Sequence, residues 1–200
     1  MAGRIRVPQF FAPSMISSAV SLFLLRGLPL SRFDYPRWHS VLAMTLLGVL
    51  TGLDPSLLNE PGVIVLPVWF GVAVSVLSEW ACFLVIFVIL HWWMKRDGRW
   101  DGQGDLFNLV AASWLVCDML CGGLVALGVP VSFTVPLWPY SLWVGAVALS
   151  GGIPKASRGY CLGGLALGLI PAGLATIAVL FAFGIFLAIL GVAPPGSPAA

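Results

Sequence analysis

The chain has 200 residues, 60% of them apolar and only 9% charged, with a mean hydropathy of +1.01. Soluble domains carry about 25% charged residues, so ten basic and eight acidic side chains cannot cover a globule of this size in water. A single soluble domain is excluded, and the solvent for most of the chain is lipid.

The first 37 residues come before any long apolar run. Within them, residues 9–25 could pass for a signal-peptide core, but Gly27-Leu-Pro-Leu-Ser-Arg32 offers no small-x-small cleavage site. Ser14, Ser17, Ser18 and Ser21 fall on one helical stripe, with Phe10, Phe11, Ile16, Val20 and Leu24 elsewhere on the surface. That periodicity predicts an amphipathic helix lying in the interface, apolar face down. The alternative is a sixth span of minimal length.

Five apolar runs free of Lys and Arg follow, at 38–53, 63–94, 106–129, 133–150 and 160–192. About 20 apolar residues span a bilayer. The first run is short, ~24 Å as a helix, and snorkelling by Arg37 or thinning of the bilayer covers the difference. The second and fifth would reach ~48–50 Å if wholly helical, and each contains a proline, Pro67 and Pro171, where the helix can kink or start late. The expected fold is all-α: five transmembrane helices in a domain of residues 38–192. A cytoplasmic segment with its interfacial helix (1–37) precedes them, and a disordered tail (193–200) follows.

The charges test this count, because cytoplasmic loops collect Lys and Arg. Arg4, Arg6, Arg26, Arg32 and Arg37 precede the first span; Lys95, Arg96 and Arg99 join the second to the third; Lys155 and Arg158 join the fourth to the fifth. Five spans therefore place every basic residue on one side. The opposite loops hold Asp54 and Glu60, or no charge at all. This predicts a cytoplasmic N-terminus and an outside C-terminus, with Arg37, Lys95, Arg96, Arg99, Lys155 and Arg158 forming a basic inner face. Trp38, Trp92, Trp93 and Trp100 mark the inner boundary, Trp69 and Trp138 the outer one, as amphipathic rings do at headgroup level. His39 and His91 belong to the inner belt.

Helices in lipid associate through close approach and buried polar contacts. In the fifth span Gly164, Gly168, Ala172, Thr176, Gly184 and Ala188 keep four-residue spacing, interrupted by Leu180. That smooth face predicts a tight bundle with the fifth helix near its centre. Gly48 and Gly52 supply the same device in the first span, Gly71, Ser75, Ser78 and Cys82 in the second. Cys82, Cys117, Cys121 and Cys161 all fall within spans or at their ends and read as packing residues. Cys117 and Cys121 share a face, but no His or further Cys stands at ligand spacing for a metal.

Two carboxylates carry most of the information. Glu79 lies 16 residues before Lys95 and Asp118 lies 13 after Asp105, which puts both ~20–24 Å from the inner boundary in consecutive antiparallel spans. Ionisable groups at that depth are costly and face the bundle interior. Glu79 shares a face with Gly71, Ser75 and Cys82, Asp118 with Trp114, Cys121 and Gly122. No basic residue is left to neutralise either. One reading is a proton or cation site. The other, adopted here, is interhelical hydrogen-bond glue.

Signatures of soluble-type catalysis are missing: there is no His-Glu-x-x-His, no Gly-x-Ser-x-Gly and no Gly-x-x-x-x-Gly-Lys. Asp97, Asp101 and Asp105 lack the ligand order and terminal Glu of an EF-hand. No catalytic, cofactor-binding or metal-binding residue is therefore assigned, and the chain is read as a non-enzyme.

Three stretches resemble the YIP family, the Ypt/Rab-interacting-protein domain of membrane proteins. They are Gly102-Gln-Gly-Asp-Leu-Phe107 at the start of the third span, Tyr140-Ser-Leu-Trp-Val-Gly145 in the fourth, and Ile153-Pro-Lys-Ala-Ser-Arg-Gly-Tyr160 leading into the fifth. The resemblance covers most of residues 14–190 and implies five spans, N-in and C-out, in an inner membrane. The Asp-Leu-Tyr-Gly-Pro motif of trafficking members is absent, and Ala-Ser-Trp-Leu-Val stands where many relatives have a mid-span proline. Binding of a Rab-type GTPase therefore transfers to no residue, and the chain resembles the short bacterial-type members. The expected role is a membrane scaffold or interaction protein, the alternative a small proton- or cation-coupled transporter or channel using Glu79 and Asp118. Expected partners are the bilayer, anionic headgroups at the basic face, and a second copy or another membrane protein; nucleic acid is not among them.

Overall fold

A computed structural model describes residues 14–53 and 67–190. Residues 1–13 of the N-terminal segment, the loop bearing Asp54 and Glu60, and the 193–200 tail lie outside the described residues. Within them the chain forms six α-helices, two short 3-10 turns and no strand. The helices are α1 (Met15–Phe23), α2 (Trp38–Gly52), α3 (Val68–Arg96), α4 (Leu106–Ala126), α5 (Leu137–Gly152) and α6 (Arg158–Ile189). A helix satisfies its own backbone polar groups, which is what a chain dissolved in lipid requires.

Helix ends follow local chemistry. Ser14, Asp105 and Ser157 cap α1, α4 and α6 with side-chain oxygens that accept from Ser17, Asn108 and Tyr160 backbone N–H groups. Pro67 precedes α3, so that helix starts late, while α6 runs through Pro171 without interruption. α1 and α4 both end in a left-handed residue whose neighbour's N–H reaches back across the last turn. At α4 this residue is Gly128; at α1 it is Leu25, at φ 58°, with Arg26 N–H on the Ser21 carbonyl at 3.0 Å. A side chain in that conformation costs about 1–2 kcal/mol, so α1 is brought to its stop at some expense.

α3, α4 and α6 are long and apolar enough to cross a membrane. α2 is apolar but has 15 residues, and α5 has 16. The helix adjacencies close into a ring: α4 touches α2, α2 touches α3, α3 touches α6, α6 touches α5, and α5 returns to α4. Across the ring, α3 and α4 meet mainly through side chains. Phe83 packs edge-on against Phe107 and Trp114 at 5.1 and 5.8 Å between centroids, and Phe87 against Phe107 at 5.5 Å.

The expectation of a central fifth helix is corrected here. α4 is the best-covered long helix, with Leu106, Asn108, Leu109, Val110, Ala111, Ala112, Ser113 and Cys117 all buried. α6 lies at the periphery, where Ile170, Leu174, Ile177, Phe181 and Ile189 are exposed. A small-residue stripe marks one face for close packing and says nothing about the opposite face, which in α6 is large and apolar. The stripe packs only in its first half: Gly164, Gly168 and Ala172 are buried where α6 makes its most extensive contact, with α3, while Gly184 and Ala188 are exposed and nothing lies within 4 Å of a Cβ on Gly184. A Cβ on Gly164 would lie 2.7 Å from Trp93 Cδ1. Thr176 is half-buried and donates its hydroxyl to the Ala172 carbonyl at 3.2 Å.

α2 and α3 approach even more closely. A Cβ on Gly48 would lie 2.6 Å from Val76 Cα, and one on Gly52 2.5 Å from Val72 Cα. The small face of α2 thus seats against the main chain of α3 at Val72 and Val76, with the Gly71 carbonyl oxygen 3.1 Å from a Cβ on Gly52. The Trp80 indole N–H adds a hydrogen bond to Thr45 Oγ1 at 3.2 Å on the same seam.

α1 is shorter than the amphipathic stretch of the sequence. It buries Met15, Ser18, Ala19 and Leu22 and packs on α4 and α5. Ser18 therefore departs from the serine stripe, since Ser14 and Ser17 are exposed while Ser18 turns inward. Tyr140 of α5 donates its hydroxyl to the Phe23 carbonyl, fixing the end of α1 to the bundle.

Candidate functional site

The interior aromatic contacts set the register of the mid-bundle carboxylates. Phe83 of α3 faces Trp114 of α4, and the two helices run antiparallel. One turn back along α3 is residue 79, and one turn forward along α4 is residue 118. Glu79 and Asp118 therefore occupy the same layer, beyond the aromatic cluster, and they lie within electrostatic reach of one another. Both are half-buried, and no hydrogen bond between described residues joins them. Cys82 lies within reach of both carboxylates and beside Thr176 of α6. Cys117 and Cys121 flank Asp118 on α4, alongside Ser141 and Thr134. The layer thus draws polar groups from α3, α4, α5 and α6: two carboxyls, thiols and hydroxyls.

All four cysteines are free thiols. Among the described residues, no group of three or more His, Cys, Asp or Glu side chains is placed to hold a metal ion. His39 lies against Trp38 and Tyr35, and His91 against Trp100 and Phe87, so both histidines are embedded in aromatic surroundings.

The six basic residues of the expected inner face stand at one end of the ring, at helix termini and in the connecting loops. Aromatic rings hold several of them. The Arg96 guanidinium lies 4.5 Å from the Trp93 ring centroid and 5.2 Å from Trp92. Arg99 lies 4.0 Å over Tyr160, and Lys95 5.7 Å over Trp100. Arg37 forms an ion pair with Asp105 at 2.7 Å, and Arg96 reaches Asp97 at 3.3 Å. Lys155 and Arg158 are exposed.

Trp93 and Tyr160 lock α3 to α6 at this end. Their rings stack at 5.1 Å, and the Trp93 indole N–H donates to the Tyr160 carbonyl at 3.1 Å. The Tyr160 hydroxyl is 2.6 Å from the Trp93 carbonyl and 2.8 Å from the Asp97 carboxylate, two acceptors sharing one phenolic proton. That contact, helped by Arg96 and Arg99, holds the Asp97 carboxyl below the ordinary carboxylate range.

Sequence reasoning missed a hub at the start of α4. Asn108 is fully buried, and its amide donates to the Phe33 carbonyl at 2.8 Å and the Tyr35 carbonyl at 2.6 Å. Its side-chain oxygen accepts from Ser40 Oγ at 2.7 Å, while the Tyr35 hydroxyl donates to the Asn108 backbone carbonyl at 3.2 Å. One amide thereby ties the segment before α2, and α2 itself, to the central helix. The available signal was an amide in the first turn of an otherwise apolar helix, which also fits an ordinary helix start.

Burial raises the Tyr35 phenol to about 12, with the Asp105 charge adding to it and the Ser40 hydroxyl opposing it. A phenol raised in the folded state stabilises the fold fully below about pH 10, the unfolded value. That stabilisation drains away as pH climbs from there through about 12. Thermal unfolding in detergent should therefore fall more steeply over this window for the native chain than for Tyr35→Phe. Parallel pH profiles for the two proteins would remove Tyr35 as the cause.

No protein-family model, characterised protein or solved structure matches this chain.

Proposed function

We propose that this is a five-span integral membrane protein of a cell or inner membrane, N-terminus in and C-terminus out, acting as a non-enzymatic scaffold. On this reading α2 and α5 cross a locally thinned bilayer as short spans. The observation that carries it is the basic end of the ring. Cations gathered there are held in place by aromatic rings, and two of them, Lys155 and Arg158, project into solvent. An array fixed in this way offers anionic headgroups and acidic partner surfaces a standing counter-charge. Membership of the YIP family is part of the proposal. It rests on the sequence resemblance of Gly102–Phe107, Tyr140–Gly145 and Ile153–Tyr160 to that family.

Energy transfer from the protein's tryptophans to a labelled anionic lipid in mixed vesicles tests the reading. Anionic lipid should be enriched around the native chain, and the enrichment should fall severalfold in Arg96→Gln/Arg158→Gln. Equal transfer to anionic and zwitterionic labels would contradict it.

A second reading, a small proton- or cation-coupled transporter, is favoured by one observation. Glu79 and Asp118 share a layer with Cys82 and Thr176 inside the ring. The scaffold reading assigns the same carboxyls to holding helices together.

A further inference from the structure

The basic end of the ring contains a cleft of about 420 Å³ between the 30–34 segment, the 99–104 loop and the α5–α6 connection. Its size falls in the range of small-ligand sites. Four charged side chains line it, two of each sign: Arg99 and Lys155, Asp34 and Asp101. None of the four forms an ion pair among the described residues. Opposite charges that line one cleft without closing on each other are complementary to a ligand carrying both.

Two of the four charges, Arg99 and Asp101, are also held in position. Arg99 Nη1 donates to the Lys155 carbonyl at 3.0 Å, its guanidinium lies over Tyr160, and its Nε is buried without a partner. One oxygen of Asp101 accepts from the Gln103 backbone N–H at 2.9 Å, which fixes the carboxylate. Leu30 and Ile153 contribute apolar lining. Trp100, also in the wall, belongs to the aromatic belt expected at headgroup depth.

We propose that this cleft binds the headgroup of a phosphatidylethanolamine-class lipid, with phosphate against Arg99 and Lys155 and ammonium against Asp34 and Asp101. A purely anionic headgroup meets the two carboxylates unfavourably. A choline headgroup has no N–H to donate to them and selects open aromatic cages, whereas Trp100 is buried and already faces Lys95. The apolar lining and the belt position select a lipid over a free phosphoethanolamine compound. The proposal shares Lys155 with the exposed basic array but does not involve Arg96 or Arg158, and it holds whether the bundle is a scaffold or a carrier.

Native mass spectrometry of the purified protein with equal amounts of phosphatidylethanolamine, phosphatidylcholine and phosphatidylglycerol tests it. The native chain should retain the ethanolamine lipid about tenfold better than the other two, as charge-assisted hydrogen bonds to the ammonium require. Asp34→Asn/Asp101→Asn should abolish that preference and raise retention of the glycerol lipid. Lys155→Gln, at an exposed position, should weaken all three while leaving helical content unchanged. The proposal is overturned if the native chain prefers the glycerol lipid, or if the ethanolamine preference survives the double Asp change. Displacement of the lipid by equimolar glycerophosphoethanolamine would overturn it too, by identifying a soluble ligand.

Discussion

Replacing Asn108 with Ala should destabilise the bundle by about 2–5 kcal/mol, the range for breaking a buried hydrogen-bond network. The side chain donates twice and accepts once within a site of zero exposure. Its removal strands the Phe33 and Tyr35 carbonyls and the Ser40 hydroxyl together, away from water. Ser40→Ala removes one hydrogen bond and should cost only about 0.5–1.5 kcal/mol. The loss should be local as well as global, because the hub joins the segment before α2 to α4. Hydrogen exchange in Asn108→Ala should therefore rise first over residues 30–40. Unfolding in detergent indistinguishable from the native chain, with unchanged exchange there, would show that the hub holds nothing.

The second large effect concerns the α2–α3 seam. Gly48→Ala and Gly52→Ala should each cost about 1–3 kcal/mol, the usual penalty for overpacking. The new Cβ atoms would fall 2.6 and 2.5 Å from Cα atoms of Val76 and Val72, and a main-chain atom cannot rotate aside. The two changes press on one seam and need not add. Gly123→Ala and Gly173→Ala are the controls, since nothing lies within 4 Å of a Cβ at either position. There alanine's helix preference should leave stability equal or raised by up to about 1 kcal/mol. Thermal unfolding followed by circular dichroism separates the pairs, and equal behaviour of all four variants would contradict the packing described.

Local patterns in the sequence were enough to mark most helices. Pro67 sits where α3 begins, and runs free of Lys and Arg frame α2, α4 and α6, features readable over a few residues. The four-residue spacing of Gly164, Gly168 and Ala172 likewise identifies a face of close approach. What spacing cannot supply is the mate of that face. Gly48 and Gly52 meet Val76 and Val72, chosen by the rotation of α3, and α6 is an exposed member of the ring because its other face is broad and apolar. The Asn108 hub was hidden for a related reason. Its carbonyl acceptors are 73 and 75 residues distant in the chain, and an Asn in a first turn usually serves only the helix start. Glu79 and Asp118 were legible because depth in a membrane is counted directly along a helix. Their common depth was legible in the same way; what the sequence did not announce is the Phe83–Trp114 pairing that sets the two helices in register.

The carboxylate layer is where the scaffold and the transporter diverge most sharply. Proton and cation flux in proteoliposomes, measured for the native chain beside Glu79→Gln and Asp118→Asn, tests the difference directly. The scaffold account predicts no flux above empty vesicles at any pH for all three proteins, with both variants retaining their helical content. Flux through the native chain that either substitution abolishes would contradict it, and would make the Glu79–Asp118 layer a transport site.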